Sequence, residues 1–493
     1  MDYYSIRFAL FAVIVIFLIP IFARRRAAWV AVMIIALALV PNSSIFSDVR
    51  VVGGGFKLYY RYIGGVLCLW DLLILVAFCL ILSSGKLMRT FDPVAQHNRK
   101  LYVIGSIWLF GALMGIAHAT MFKFGYTSIA NVIQQVLPLI YFFVSIRLAR
   151  TLIQTEKDLV FILKILTVCS LGILVEGAVF LFLASVELIP VLRGYGGIPI
   201  VVYDGMAFLT FSVLLTCAKY CFGEKVTLTD KVIFIGGLFF ILISTRRSNL
   251  FFLVLNLSVI YFFSRQRIFS LRTVISAVKA IALVGAPLLV MLYLFVPDYF
   301  DTIGFILSSF DISSEAGETS GGTLRLAQLG NMFLNMNTEA PLSYFWGMGL
   351  GTQWFEYIPL VGLNAEGDAA YIGLVQELGA LGWWPYFHLS SISMLYRFGF
   401  AGTLLIIIVS IMWLKGWWRG LRSFAPGHRP WTFVVVLLGF QYLIVVGDSV
   451  DSAWPALVGI LFGLLEAISR IARAQQANQT VSIEPRAGRS SNA

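Results

Sequence analysis

Charge is what this chain has least of. Only 12% of its 493 residues are Asp, Glu, Lys or Arg, while 59% are hydrophobic. A soluble domain carries about twice that share of charge. The composition therefore excludes a water-soluble protein and leaves a polytopic membrane protein. Cysteine is scarce too. The five (Cys68, Cys79, Cys169, Cys217, Cys221) lie in or beside apolar segments and form no C-x-x-C pair, so neither a disulfide framework nor a zinc site is indicated. There is no G-x-x-x-x-G-K-[ST], and so no support for ATP hydrolysis. D-x-D, H-x-x-x-H and H-E-x-x-H are all missing. Asp48, Asp448 and Asp451 have no companion at ligand spacing and read as helix caps. No metal or other cofactor is expected. The two halves show no inverted repeat of broken helices, which weakens a secondary transporter. The net charge of +11 does not point to nucleic acid, because most Lys and Arg stand in short loops.

What is there is a succession of apolar spans. About thirteen are expected on the rule of about 20 residues per crossing. They run roughly over 6–22, 27–46, 63–82, 101–122, 127–148, 159–183, 198–218, 232–245, 249–263, 273–296, 398–414, 431–447 and 454–469. The first is followed by Arg24, Arg25 and Arg26 rather than by a small-residue cleavage site, so it reads as a retained helix and not a signal peptide.

The basic residues assign the loops. Those holding Arg24 to Arg26, Lys86 with Arg89, Arg99 and Lys100, Arg150 with Lys157, Lys225 with Lys231, Arg265 with Arg267, and Lys415 with Arg419 and Arg422 are every second loop. All go to the cytoplasm by the positive-inside rule, and so does the tail with Arg470, Arg473, Arg486 and Arg489. The expected fold is an all-α polytopic membrane protein with one large external loop domain between spans ten and eleven. Residues 1–296 form the N-terminal transmembrane region, 297–397 the loop domain and 398–469 the C-terminal membrane helices. Residues 470–493 are expected to be a disordered cytoplasmic tail. The loop domain holds ten acids against two bases, Arg325 and Arg397, as suits the outer face of a basic protein.

Against this pattern stand the external cations, chiefly Arg50, Arg61, Arg193, Arg246, Arg247, Arg325 and Arg397. Arg246 and Arg247 interrupt an apolar run from Val232 to Phe263, which is too long for one crossing and right for two short helices. They then fall at the turn between them, on the face that the rule disfavours. Arginine presents a planar fork of donors that suits phosphate and keeps its charge. The alternative is snorkelling to lipid headgroups, and for Arg50, Arg61 and Arg397 it is the simpler account. Of the four histidines, His97 and His428 fall in cytoplasmic loops, and His118 reads as a packing residue. His388 ends the external loop in WWPYFHLSSISMLYRFGFAG, where a neutral imidazole can take a proton from a sugar hydroxyl. Trp383, Trp384 and Tyr386 are either stacking platforms for sugar rings or part of an interfacial aromatic belt.

Three segments resemble a known family. GGTLRLAQLGNMFLNM from Gly321, SYFWGMGLGT around Gly347 to Gly351, and HLSSISMLYRFGFAG from His388 to Gly402 are similar to the shared C-terminal region of O-antigen polymerases and O-antigen ligases. Upstream, LISTRRSNLFF resembles that family's Ser/Thr-Arg-Ser/Thr element, with Arg247 the preferred match and Arg246 second. RGYGGIPIVVYDGMAF resembles an external arginine-glycine segment of the polymerases. The likeness covers roughly 190–415. It departs at Leu389, where the family has Asn or Ser, at the spacing after Arg193, and in having one span more than the usual twelve.

The resemblance implies a GT-C-like glycosyltransferase of the bacterial inner membrane. It would act on the periplasmic side without metal and with inversion, on undecaprenyl-pyrophosphate-linked oligosaccharide. It implies that Arg247 and Arg325, with Arg193, hold the pyrophosphate, and that His388 deprotonates the attacking hydroxyl. A polysaccharide polymerase is the leading expectation, with a separate chain-length regulator as a partner. A ligase that moves the glycan to lipid A core is the alternative, and a lipid-linked oligosaccharide flippase is a more distant one.

Overall fold

A computed structural model of the chain describes residues 26–39, 93–122, 129–185, 192–193, 199–200, 206–243, 247–263, 321–339, 342–352, 354–355, 357–358, 383–384, 390–420, 428–445 and 453–483, with Val13 and Cys79 singly. These residues are mostly helical. The helices are α1 (Ala28–Leu39), α2 (Pro93–Ala117), α3 (Ile129–Leu152), α4 (Glu156–Ser185), α5 (Met206–Cys221), α6 (Leu228–Ile243) and α7 (Arg247–Phe263). They continue with α8 (Gly321–Glu339), α9 (Ser343–Trp346), α10 (Ser390–Gly420), α11 (Arg429–Phe440) and α12 (Ala453–Ile483). π-Helical turns extend α2 over His118–Phe122 and α11 over Gln441–Val445. Two short antiparallel pairs complete the description: β1 (Leu192–Arg193) with β2 (Pro199–Ile200), and β3 (Trp354–Phe355) with β4 (Trp383–Trp384).

Among the described residues, five segments are long and apolar enough to cross a membrane. They are Arg99–Thr120, Gln135–Leu152, Glu156–Val179, Ile392–Arg419 and Pro455–Ala472, in α2, α3, α4, α10 and α12. Ala28–Ala38 and Phe208–Cys221 are apolar but shorter. The expected spans at 6–22, 63–82 and 273–296 lie outside the described residues.

Polar contacts sort the helix ends. Lys100 at the start of α2 donates to the Met412 carbonyl late in α10, at 3.2 Å. Arg150 near the end of α3 pairs with Glu466 of α12 at 3.3 Å, and Arg470 donates to the carbonyl of Ile153. Lys219 of α5 pairs with Asp230 of α6 at 2.7 Å. His428 ahead of α11 lies within the field of Glu156 and Glu224. Every one of these residues belongs to the side that the alternation of basic loops groups together.

Several boundaries differ from the sequence expectation: α2 begins at Pro93 rather than near 101, and two others have a clear physical reason. α10 begins at Ser390 rather than near 398, because a short, largely buried segment precedes the apolar rod and meets it at a kink. Gly399 sits at that kink with φ 63° and ψ −176°. α12 runs on to Ile483, through residues expected to be disordered. Alanine and glutamine are good helix formers, and extending an existing helix costs far less than nucleating one.

The described apolar residues form two cores. The larger joins the membrane-type helices, with Phe142 of α3, Trp413 of α10, and Tyr442 and Phe462 at its centre. The smaller comprises Met332, Met336, Met348, Trp354, Ile392 and Tyr396, from α8, the turn after α9, β3 and the start of α10. Met394 and Phe398 belong to the larger core, so the first turns of α10 join the two.

Candidate functional site

α8 is built as a clamp. Its Gln328, Asn331 and Asn335 are buried beside Met332 and Met336, while Leu326 is exposed. Asn331 donates from Nδ2 to the Ile358 carbonyl at 2.8 Å, and its Oδ1 accepts from the Ile358 N–H at 2.6 Å. Asn335 does the same for Phe355, with both bonds at 2.7 Å. A primary amide offers a donor and an acceptor side by side, so each asparagine completes the pairing of one backbone unit. The clamped chain includes β3, whose Trp354 and Phe355 pair with Trp384 and Trp383 of β4. α8 therefore holds the hairpin that carries Trp383 and Trp384, four residues before His388.

The second feature is the turn over Gly347–Gly351. Its four N–H groups from Met348 onward are all satisfied from outside the turn. Met348 donates to the Tyr396 carbonyl at 2.7 Å, Gly349 to the Arg397 carbonyl at 3.0 Å and Leu350 to the Gly111 carbonyl at 2.9 Å. Gly351 donates to Oε1 of Gln135 on α3. His118 Nδ1 lies 2.6 Å from the Met348 carbonyl, which also accepts from the Thr352 hydroxyl at 2.8 Å. Gly349 has φ 83°, and a Cβ there would stand 2.5 Å from the backbone nitrogen of Gly115. A side chain at 349 would both strain the backbone and push the turn off α2.

Arg325 is the fifth residue of α8. Arg247 is the first residue of α7, four after the end of α6. Arg193 lies in β1 opposite Pro199. Arg246, Tyr386 and His388 lie outside the described residues. The structure thus joins the Arg325 helix, the glycine turn, the Trp383–Trp384 strand and the kinked start of α10 in one body. Arg193 and Arg247 stand on other elements.

His118 is buried and bonded, as a packing residue should be. Arg397 differs from the expectation of a snorkelling side chain. It is 2% exposed, in the joint where its carbonyl meets Gly349. Hydropathy placed it at a membrane face and gave no sign that the glycine turn would fold over it. Sequence reading also missed Asn331 and Asn335. Their signal was present as two asparagines one helical turn apart beside Met332 and Met336, which in a stable helix need partners. Among the described residues no group of three or more His, Cys, Asp or Glu is gathered as a metal site.

No protein-family model matches the chain. No curated protein matches it at a significant level either.

Proposed function

We propose that the chain is a bacterial inner-membrane glycosyltransferase of the polysaccharide-polymerase kind. It transfers a glycan from undecaprenyl pyrophosphate onto a lipid-linked repeat unit at the periplasmic face. The observation that carries this reading is that the three segments of the resemblance, distant in sequence, pack into one body. α8 bears Arg325, the Gly347–Gly351 turn docks on α10, and α10 bears the Gly399 kink. Packed segments of this kind can present an arginine and a base to one substrate.

In the proposed reaction the acceptor hydroxyl oxygen forms a bond to the anomeric carbon of the donor sugar. The bond from that carbon to the pyrophosphate oxygen breaks, and the configuration inverts. The hydroxyl proton passes to the His388 imidazole. The departing pyrophosphate keeps the bonding electrons, and Arg247 and Arg325, with Arg193 and Arg246 nearby in role, stabilise that charge. Trp383, Trp384 and Tyr386 offer apolar ring faces to sugar.

The test is a gel of lipid-linked glycans from cells carrying wild type or His388→Ala at matched expression. Single repeat units without a ladder are expected. A ladder that persists on the carrier but never reaches its final acceptor identifies a ligase instead. An unchanged profile removes His388 from the mechanism. Unchanged glycan length after Arg325→Glu indicates a scaffold.

A further inference from the structure

The turn at 347–351 lies deeper than an external loop should. Lys100 marks one level, where its ammonium meets the Met412 carbonyl at the basic end of α2 and α10, beside Arg99, Lys415 and Arg419. Such a cluster belongs at a membrane face. Gly111, which accepts from Leu350, is eleven residues further along α2, about 16 Å at 1.5 Å per residue. Gly399, beside Gly347, is thirteen residues back along α10 from Met412, about 20 Å. The hydrocarbon layer is about 30 Å thick. The turn therefore docks roughly 10 Å short of the far surface.

Irregular backbone survives at that depth only where its polar groups find partners within the protein. The bonds from Met348, Gly349, Leu350 and Gly351 to Tyr396, Arg397, Gly111 and Gln135 meet that requirement. The surface that α9 turns outward is apolar. Leu342 is 77%, Phe345 54% and Trp346 51% exposed. The Trp346 ring meets Phe110 on the outward face of α2 at 6.0 Å, and the Phe345 carbonyl lies against Gly399. The same surface continues onto exposed Leu109 and Leu113 of α2 and Phe400 and Leu404 of α10, two helices fit to cross a membrane.

We infer that residues 342–351 form a re-entrant membrane segment whose Leu342, Phe345 and Trp346 side chains contact phospholipid acyl chains. The occupant is lipid because this surface is continuous with the outward faces of two membrane-type helices. Contact with a second copy or another protein would have to displace lipid from α2 and α10 as well. The inference rests on α2 and α10 crossing a membrane and not on the glycosyl-transfer reading. It fixes the depth of the loop body, since α8 and β3 share a core with Met348.

The experiment uses the full chain in nanodiscs of phosphatidylcholine and phosphatidylglycerol, with plain or dibrominated acyl chains. The emission of Trp346 is the difference between wild type and Trp346→Phe. A blue-shifted difference spectrum that brominated chains quench and aqueous iodide does not is expected. Quenching by iodide and not by bromine means an aqueous loop and overturns the inference. Quenching by neither means a protein cover and overturns it too. Leu342→Trp, at a position already open, adds a second reporter on the wild-type background and must give the same pattern.

Discussion

Asn335 shows how much one side chain can hold. Its amide accepts from the Phe355 N–H and donates to the Phe355 carbonyl, and it also donates to the Asn331 carbonyl at 2.7 Å. Asn335→Ala strands a largely buried backbone unit, and such a loss costs about 1–3 kcal/mol. Thermal unfolding in detergent, followed by tryptophan emission, should show the variant melting earlier than wild type. Asn335→Asp keeps the acceptor and should fall between them, and equal melting of all three would discard the clamp. His118 reads as a packing residue from its apolar setting, but its partner, the Met348 carbonyl, is brought near only by the folded chain. The same holds for Asn335 with Phe355 and for the Arg397 carbonyl with Gly349.

At the scale of elements, the pairing of α3 with α12 depends on two features of different visibility. Gly459 and Gly463 form a small-x-x-x-small stripe that lets α12 approach the Phe142 and Ile146 carbonyls of α3, a spacing legible in the sequence. Glu466 sits on the same helix, buried, with its carboxylate 3.3 Å from the Arg150 guanidinium. Reading by spans passes over a single acid at the end of an apolar run, and its partner lies far away in sequence. Removing one member of a buried pair leaves a charge uncompensated and costs about 3–5 kcal/mol, whereas replacing both with apolar residues of similar size is often neutral. Glu466→Ala should therefore lower the yield and melting temperature of the purified protein sharply, and the Arg150→Met, Glu466→Leu double variant should recover most of the loss. If the double variant is as unstable as the single, the ion pair is not what the single variant disrupts.

For the whole molecule, the alternation of basic loops was the most informative pattern in the sequence, since it grouped the helix ends that the polar contacts join. The body formed by α8, the glycine turn and α10 was less legible, because low hydropathy between spans says where a membrane helix is absent and not what folds there. The basic end carries a pH response as well. Burial lowers the affinity of His428 for its proton below the ordinary value of 6.5, and Glu156 and Glu224 offset this only in part. An unfolded chain then binds that proton at higher pH than the folded one, so stability is full above 6.5 and falls as the pH drops through that value. At Asp230 burial pushes the carboxyl up, but the Lys219 and Thr227 hydrogen bonds outweigh it and hold the group below its ordinary value of 3.8. Its contribution is present above 3.8 and is lost as the pH falls through the folded value. Both groups weaken the fold in acid, in separate windows. Melting temperature measured against pH should thus decline in two steps for wild type. His428→Gln should flatten the upper step and leave the lower one, and an unaltered upper step would assign it to another histidine.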